Sequence, residues 1–517
     1  MDLKEEISYL INETLQKCST WIEKGEDGQY RFVDPNDHVE ISAHYGATHM
    51  AASMILWGTY KKDHDIVLKG ESLLESILSR WNGNKQLPSF HFDFNNFALC
   101  LIADKVNGKL SKMIGNILLE TPDSNHDTIN WLPMRWFVNA NRYKVTSDAK
   151  YLRVIDRCKT LIAKATNNDG GVEDRLPLGV SYNLQYDVAT VAVLQFLNVH
   201  GNPVNLSKEL GFLLNAVAPD GDINYLGRGC NQIFAWGLWI YLLASSGQEK
   251  TLEKALEFLN SRVPIMLSQN NMMLNDWNGN EKFLWWDYHY TSVYTAHFLM
   301  WMILAILDYG KKEIIPVKPI SSETGLHIIR NENIFVSWFE GRTEYLSEYG
   351  PTIAALWIKK YGMICKGSFG PWQGKFGNLY SNSVMIKNFV GPLQIKRNID
   401  IHKFRILSKI FPLKKNNYKL ESVPLFSKIK ISLTKSKLDI TWTFPKEKEC
   451  IILLPSIVEG IQGMVSSNDV LIPFTHVEKI RNQYGWINLY MSKSYKTRFF
   501  KLTLYCDKNS SDIFTNI

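Results

Sequence analysis

Apolar positions recur with the period of an α-helix from residue 3 to about residue 310. The periodic segments are roughly 12–20 residues long, and Gly, Asn, Asp and Pro separate them. The pattern predicts helices near residues 3–23, 41–61, 65–81, 92–106, 109–119, 127–145, 147–166, 182–199, 206–216, 230–246, 250–261 and 290–309. These helices make six antiparallel pairs, and the absence of a tight repeat disfavours a TPR-like solenoid.

The pattern changes after KKEIIPVKPISSE. Short runs rich in β-branched and aromatic residues follow, bounded by Gly, Pro, Asn and Lys: NIFVSWFEG, IAALWIKKYGMICKG, SNSVMIKNFVG, SKIKISLTKSKLDITWTF, ECIILLPSIVEG and TRFFKLTLYC. Several of them alternate apolar and polar residues, as half-buried antiparallel strands do. We therefore expect a helical domain over residues 1–315 and an antiparallel β-sandwich over residues 316–517.

Composition adds two features to this two-domain picture. Aromatic residues make up 12% of the chain, including 16 Trp, which suits surfaces that stack on sugar rings or bases, although Trp-rich cores are an equal alternative. From Val317 onward 29 Lys and Arg face 15 Asp and Glu, whereas the first part is mildly acidic. A basic surface attracts nucleic acid, a membrane surface or an acidic polysaccharide, or is simply a solvated face.

The N-terminus and the cysteines bear on location. MDLKEEISYLINETL is acidic and amphipathic, without the basic and apolar regions of a signal peptide. The most apolar run, FLMWMILAIL, is too short to span a membrane. The chain has 7 Cys at scattered positions without metal-binding spacing. We expect a reduced, cytoplasmic protein with no membrane span.

The order of elements resembles that of the toroid-type polysaccharide lyases, which include the heparinase II/III-like enzymes. Three segments resemble parts of that group: DGGVEDRLPLGVSYNLQYDVATVAVL, INWLPMRW and WWDYHYTSVY. The resemblance implies an α/α toroid of about six helical hairpins in the first domain and cleavage of a uronic-acid-containing glycan by β-elimination. Where many of these lyases have a histidine after the tyrosine of the mid-chain helix, this chain has Asn183 and Asp187; some heparinase III-like members use asparagine there.

β-Elimination needs three functions at the site. A uronate carboxylate is neutralised, the proton on C5 is removed, and the oxygen leaving C4 is protonated. The segment DINYLGRGCNQ places Tyr225 three residues before Arg228, in a turn loosened by glycines. A nearby guanidinium lowers the pKa of a tyrosine, so we predict Tyr225 as the base, and Arg228 as its activator or as a carboxylate ligand. The alternative for Tyr225 is an aromatic turn residue that packs on the following helix, and the alternative for Arg228 is a residue that anchors the loop to a carboxylate.

Two amide side chains are candidates for binding the substrate. Asn183 follows a long polar loop and begins a helix, so it is predicted to neutralise the carboxylate, or alternatively to cap that helix. Gln232 lies four residues after Arg228 and is predicted to contact substrate, or to be an ordinary polar residue of the first turn. Tyr182 is a further candidate for substrate binding.

The segment FLWWDYHYTSVYTAHF places His289 among aromatic side chains. We predict His289 as an acid or base, with Trp285, Trp286 and Tyr288 forming a wall that stacks on sugars. The alternative is that His289 is a core histidine, hydrogen-bonded to Asp287 or to a backbone carbonyl.

Two earlier segments supply further candidates. INWLPMRW contributes Asn130 and Arg135, and SFHFDFNN contributes His91, all three as substrate ligands. His44 and His49 lack a third ligand at metal spacing, so we expect no metal site and no cofactor, although a structural divalent cation is not ruled out by the sequence.

Two rival functions remain open. A glycoside hydrolase on the same scaffold would use paired carboxylates, either Asp187 with Asp222 or Asp169 with Glu173. A non-catalytic polysaccharide-binding or assembly protein of a capsule pathway is the other. Nucleic acid is not expected as a partner, because no recognition motif is present. The oligomeric state is not predictable from the sequence.

Overall fold

The computed structural model describes most of the first 366 residues and the strands that follow them. The described stretches are residues 2–36, 38–84, 91–179, 182–227, 229–274, 290–340 and 352–366, and the later strands given below with their short connections.

The first part of the chain is built from α-helices. Their bounds are α1 Leu3–Ser19, α2 Gly46–Lys61, α3 His64–Asn84, α4 Phe92–Ile102, α5 Gly108–Glu120, α6 Leu132–Thr146, α7 Ala149–Ala165, α8 Leu184–Val199, α9 Ser207–Ala216, α10 Phe234–Ser245, α11 Glu249–Asn260, α12 Val263–Ser268 and α13 Thr291–Leu307. A 3₁₀ turn, η1 (Ile129–Trp131), precedes α6. Each of the twelve predicted helices is confirmed, and the ends moved by a few residues. The short α12 and η1 were not predicted.

Six helices form a closed inner ring. Contacts run from α2 to α4, α6, α8, α10 and α13, and from α13 back to α2. These helices are apolar around most of their circumference: every residue of α10 and all but the last residue of α13 is buried. A helix that is apolar on all sides has to be surrounded by other elements.

The other long helices form an outer layer: α3, α5, α7, α9 and α11 each pack on the inner helix before them in sequence, and α1 packs on α13, which closes the ring of pairs. In α7 the buried positions Tyr151, Ile155, Cys158 and Ile162 lie on one stripe, as expected for a surface helix. The alternation of outer and inner helices gives an α/α toroid of six hairpins, as the resemblance implied.

The strands of the second part pair antiparallel throughout the described residues. A four-stranded sheet consists of β3 (Leu326–Arg330), β4 (Ile334–Phe339), β5 (Thr352–Ile358) and β6 (Gly362–Lys366), paired in chain order. A larger sheet contains β7 Trp372–Gly374, β8 Asn378–Tyr380, β9 Val384–Ile386, β10 Leu393–Gln394, β11 Lys428–Leu433, β12 Lys437–Ser456, β13 Gly463–Ser467, β14 Val470–Asn482, β15 Gly485–Ser492 and β16 Tyr495–Tyr505. The antiparallel strands are confirmed, whereas the sandwich arrangement stays a prediction.

The four-stranded sheet packs on the toroid. Leu326, Phe335 and Phe339 belong to the same buried cluster as the helices. The ammonium group of Lys366, whose side chain is 3% exposed, pairs with Asp220 and with Asp222, at 2.9 Å in the second case. Helices give way to strands between Leu307 and Leu326.

Two short strands near the N-terminus were not predicted. β1 (Ile22–Lys24) and β2 (Tyr30–Phe32) form a hairpin between α1 and α2. Among the described residues, no helix is both long and apolar enough to cross a membrane.

Candidate active site at the mouth of the toroid

The N-terminal ends of the inner helices meet at one end of the ring. Ring contacts join the start of α2 to α4 (Tyr45 and Phe94, 4.3 Å), α4 to the turn before α6 (His91 and Trp131, 5.3 Å), and α10 to α13 (Phe234 and Tyr294, 5.8 Å). Helix N-termini carry partial positive charge. Their convergence makes this mouth favourable for a negatively charged ligand.

Five imidazole and aromatic side chains, which we call the mouth cluster, gather where four of these helices begin. They are His44, His91, His126, Trp131 and Tyr290. The His44 ring stacks on His91 with centroids 4.2 Å apart and lies 4.7 Å from the ring of Tyr290. Trp131 contacts the rings of both His91 and His126, the latter at 6.0 Å. His44 and Tyr290 are half-buried and His126 is exposed, so solvent reaches the cluster.

The tautomer of His91 follows from its partner. Its Nδ1 lies 3.1 Å from the carbonyl oxygen of Ala43, which can only accept, so Nδ1 carries the proton. Burial and the neighbouring imidazole of His44 lower the pKa of His91 to about 3. His91 is therefore neutral near pH 7, with Nε2 unprotonated. The predicted contact of His91 with substrate stays a prediction.

A second histidine pair lies below the mouth in the core. His49 Nε2 is 3.2 Å from the carbonyl oxygen of Phe94, so it donates there, and His49 Nδ1 accepts from Nδ1 of His297 at 3.1 Å. Burial lowers the pKa of His49 to about 3 and that of His297 well below its usual value. Both rings are fully buried and serve as neutral core residues.

Asn130 stands in η1, directly before Trp131. Its side chain is nearly buried, and its Oδ1 has no hydrogen-bond partner among the residues described. A buried amide oxygen without a partner costs free energy unless something else satisfies it. The amide is therefore suited to a ligand at the mouth.

Arg135 is not available to a substrate. Its Nε and Nη2 donate to Asp93, its Nη1 donates to Asp127, and its Nη2 also donates to the carbonyl oxygen of His126. The side chains of Arg135 and Asp93 are 6% and 2% exposed. The predicted contact between Arg135 and substrate is wrong, because protein acceptors occupy its guanidinium.

Tyr225 does not face the mouth. It has no exposed surface, and its hydroxyl donates to the carbonyl oxygen of Ala216 at 2.6 Å. Its ring packs edge-on against Phe335 of the four-stranded sheet, so it belongs to the contact between sheet and toroid. Burial raises the pKa of Tyr225, which disfavours the phenolate that a base requires. The prediction of Tyr225 as the base is corrected on these grounds.

The candidates around the start of α8 and α10 are also buried. Tyr182 is 1% exposed and donates its hydroxyl to Asp187 at 2.9 Å, which leaves no surface for a sugar. Gln232 is fully buried. The predicted substrate contact of Tyr182 is corrected for that reason, whereas that of Gln232, whose Oε1 and Nε2 have no hydrogen-bond partner among the described residues, stays a prediction. Asn183 caps α8 by accepting from the backbone N–H of Gln185 at 3.0 Å, as the alternative interpretation held.

The carboxylates of the hydrolase alternative each have structural partners. Asp187 accepts from Tyr182, and burial raises its pKa well above the usual value. Asp222 accepts from the backbone N–H of Asn224 and pairs with Lys366. The remaining two show the same pattern: Asp169 accepts from Gly171 and Thr324, and Glu173 accepts from Gly179.

Several predicted residues cannot be placed. Arg228, Trp285, Trp286, Tyr288 and His289 lie outside the described residues. In the part of the chain that is described, no group of three or more His, Cys, Asp or Glu side chains is arranged to hold a metal ion.

Sequence reasoning missed four members of the mouth cluster as functional residues: His44, His126, Trp131 and Tyr290. His44 was considered only as a metal ligand. The available signal was position, since His44, Trp131 and Tyr290 lie at or just before the start of an inner helix and His126 lies in the loop that leads to α6. This position indicates a functional residue only once the tertiary structure has shown which helices are inner.

No protein-family model and no curated protein sequence matches this chain. Solved structures with a similar course of the chain include an inactive variant of the alpha-1,6-mannanase GH76A of Salegentibacter sp. HEL1_6 in complex with alpha-1,6-mannotriose, at 15% identity and a TM-score of 0.43, covering 59% of this chain and 100% of that one. A polysaccharide lyase is 10% identical, with a TM-score of 0.39 and coverage of 58% and 97%.

An unsaturated glucuronyl hydrolase from Streptococcus agalactiae is 12% identical, with a TM-score of 0.39, covering 59% of this chain and 92% of that one. The toroid of this chain follows from the contacts between its own helices.

Proposed function

We propose that this chain is a carbohydrate-active enzyme that cleaves an acidic, uronate-containing glycan by β-elimination at the mouth of its toroid. The observation that carries the proposal is the packing of His44 against Tyr290, with ring centroids 4.7 Å apart, where the inner helices begin. His44 stands in place of Tyr225 as the proposed base. His289 and Arg228 remain candidates of undescribed position.

The chemistry of the pair suits proton transfer in both directions. The unprotonated ring nitrogen of a neutral imidazole accepts a proton, so His44 takes the proton from C5. The electrons of that C–H bond form the C4–C5 double bond as the C4–O bond breaks. A phenol keeps its proton at neutral pH, so Tyr290 gives a proton to the leaving oxygen.

The other parts of the mouth bind and activate the substrate. Asn130 donates from Nδ2 to the uronate carboxylate, which lowers the cost of carbanion character at C5, and its Oδ1, which has no partner among the described residues, accepts from a sugar hydroxyl. Trp131, which is 9% exposed, supports the imidazoles of His91 and His126, and the exposed ring of His126 is the surface offered to a sugar ring. The N-termini of the inner helices add a field that favours the anion.

Elimination is favoured over hydrolysis by the state of the carboxylates. Inverting and retaining hydrolases need two carboxyl groups that reach the scissile bond. Asp187 and Asp222 have no exposed surface, and Asp169 and Glu173 are each 1% exposed. The proposed proton-transfer pair, by contrast, is half-buried at the mouth.

A panel of uronate polymers incubated with the protein tests the proposal. We expect near-ultraviolet absorbance from 4,5-unsaturated ends to rise together with new reducing ends on at least one polymer. Reducing ends without absorbance would mean hydrolysis, and binding without either product would mean a non-catalytic glycan-binding protein; both results contradict the proposal.

A further inference from the structure

The guanidinium of Arg135 joins three parts of the mouth. Arg135 lies in the first turn of α6 and donates to Asp93 of α4, with Nη2 to Oδ2 at 3.0 Å. The same Nη2 donates to the carbonyl oxygen of His126 at 2.6 Å, and Nη1 donates to Asp127 at 3.3 Å. One side chain thus connects two inner helices and the loop that precedes the second of them.

These contacts are adjacent to members of the mouth cluster. Asp93 follows His91 by two residues, and the acceptor in the loop is the backbone of His126 itself. The rings of both histidines contact Trp131, at 5.3 Å for His91 and 6.0 Å for His126. The position of the His126 imidazole relative to this indole therefore depends on the backbone that Arg135 holds, and that of the His91 imidazole depends on the first turn of α4, which Arg135 anchors through the carboxylate of Asp93.

We propose that Arg135 is a positioning residue, which fixes His91 and His126 around Trp131 and so sets the shape of the sugar-binding surface at the mouth. This inference rests on the function proposed above as far as the sugar is concerned. Its structural part, the arrangement of the two imidazoles, can be measured without any substrate.

The geometry requires arginine and not just a positive charge. The contacts leave from Nε, Nη1 and Nη2 in different directions, which the planar guanidinium provides and a lysine ammonium does not. The pair with Asp93 is almost completely buried, so the bonds are not weakened by competing water. Arg135→Lys keeps the charge and removes the fork.

The chain offers a matched control in the same helix. Arg142 is also buried, and it donates to Asp123, to the carbonyl oxygen of Leu118 at 2.7 Å and to that of Thr121 at 2.7 Å. Its partners lie at the end of α5 and at the start of the loop that carries His126 three residues after Asp123, and among the described residues none of them is a member of the mouth cluster. Arg142→Lys therefore makes the same kind of change two turns away.

The first measurement is the NMR spectrum of histidine rings selectively labelled with ¹³C, with His91 and His126 assigned by substitution. We expect Arg135→Lys to move both ring signals, because each ring senses the ring current of Trp131, and Arg142→Lys to leave the His91 signal in place and to move the His126 signal less. Unchanged His91 and His126 signals in folded Arg135→Lys overturn the proposal, and so do equal shifts in both variants.

The second measurement uses the glycan that the wild type cleaves. Misplacement of binding groups by fractions of an ångström is expected to lower kcat/KM about 10-fold in Arg135→Lys, mostly through KM, with Arg142→Lys close to wild type. An equal loss in both variants overturns the positioning role. If the wild type cleaves no glycan, the function proposal fails, while the NMR result still decides the role of Arg135.

A second variant covers the case in which Arg135→Lys does not fold. Asp93→Leu combined with Arg135→Met removes both buried charges and replaces them with apolar volume, which buried ion pairs often tolerate. The folded double variant is expected to show the same displaced His126 signal. A His126 signal identical to that of the wild type overturns the proposal.

Discussion

The imidazole rings of His44 and His91 stack with their centroids 4.2 Å apart, although they precede different helices. The contact places two imidazoles at the mouth in different surroundings: His91 is buried and its Nδ1 donates to the carbonyl oxygen of Ala43, whereas His44 is half-buried and next to Tyr290. His91 thus forms part of the surface that shapes the surroundings of His44.

Replacement of His44 tests the proposed base. We expect His44→Gln to lower kcat by about 10²–10⁴-fold, the range that general acid–base catalysis contributes, while glycan binding persists. His38 is the control, because its imidazole is exposed and paired only with Glu23 at 3.4 Å in the preceding hairpin. His38→Gln should cleave like the wild type. Full activity of folded His44→Gln would show that another group takes the proton.

The proposed carboxylate ligand is tested by a change of charge. Asn130→Asp puts a negative charge where the uronate carboxylate is proposed to bind, so we expect KM for the acidic glycan to rise more than in Asn130→Ala. Initial rates over a range of substrate concentrations measure the difference. Equal KM values for the two variants would place the carboxylate elsewhere.

The correction of Tyr225 makes its own prediction. Tyr225→Phe removes the hydroxyl that donates to Ala216 at 2.6 Å and leaves a buried carbonyl without that partner. We expect the free energy of unfolding to fall by about 1 kcal/mol and cleavage to continue. Denaturant unfolding and the ultraviolet assay measure both. Loss of cleavage in a folded Tyr225→Phe protein would restore Tyr225 to the chemistry.

Because it contains buried neutral histidines, the folded protein is expected to lose free energy of unfolding at acidic pH. Burial lowers the pKa of His49 and of His91 from 6.5 to about 3, so between these values the unfolded chain binds more protons than the folded one. The contribution of these two histidines to the free energy of unfolding should therefore be complete above about pH 6.5. It should decline as the pH falls toward about 3, by up to about 1.4 kcal/mol per pH unit for each histidine.

Urea unfolding at several pH values checks this slope. His49→Gln should flatten it, whereas His64→Gln should not, because His64 is exposed on the outer helix α3. A slope that is the same in His49→Gln and wild type would mean that His49 is not neutral in the folded protein.

The ion pairs of Lys366 are expected to stabilise the contact between the four-stranded sheet and the toroid. Its ammonium is 3% exposed and compensates Asp220 and the fully buried Asp222. Lys366→Met leaves a buried carboxylate uncompensated, so we expect a loss of about 3–5 kcal/mol in the free energy of unfolding. Lys359, which is exposed after β5, is the control. Equal unfolding curves for Lys366→Met and Lys359→Met would mean that the pair contributes nothing.

Much of the helical part was predictable because its signals are local. The stripe of Tyr151, Ile155, Cys158 and Ile162 defines α7 without reference to any other element. The cap of α8 by Asn183 was also readable, since an asparagine before an apolar helix commonly accepts from a backbone N–H. The hairpin β1–β2 was missed because three-residue strands are too short for an alternating pattern to show.

The candidate site was predictable only in part, because residue type does not show direction. Tyr225 and Tyr182 look as suitable for proton transfer as Tyr290, yet the first two are sealed in the core and the third is half-buried at the mouth. Arg135 looked like a ligand for an anion, and the carboxylate that it binds, Asp93, lies on another helix.

The sequence by itself determined the twelve long helices, the change to strands and the positions of polar side chains before the helices, because hydrophobic period and capping act within a few residues. The tertiary structure decided which helices are inner and therefore which of those side chains meet. Closing the ring brings His44, His91, Trp131 and Tyr290 together from distant positions and covers Tyr225 with the sheet. Contacts of this kind depend on packing between elements, which a local pattern does not encode.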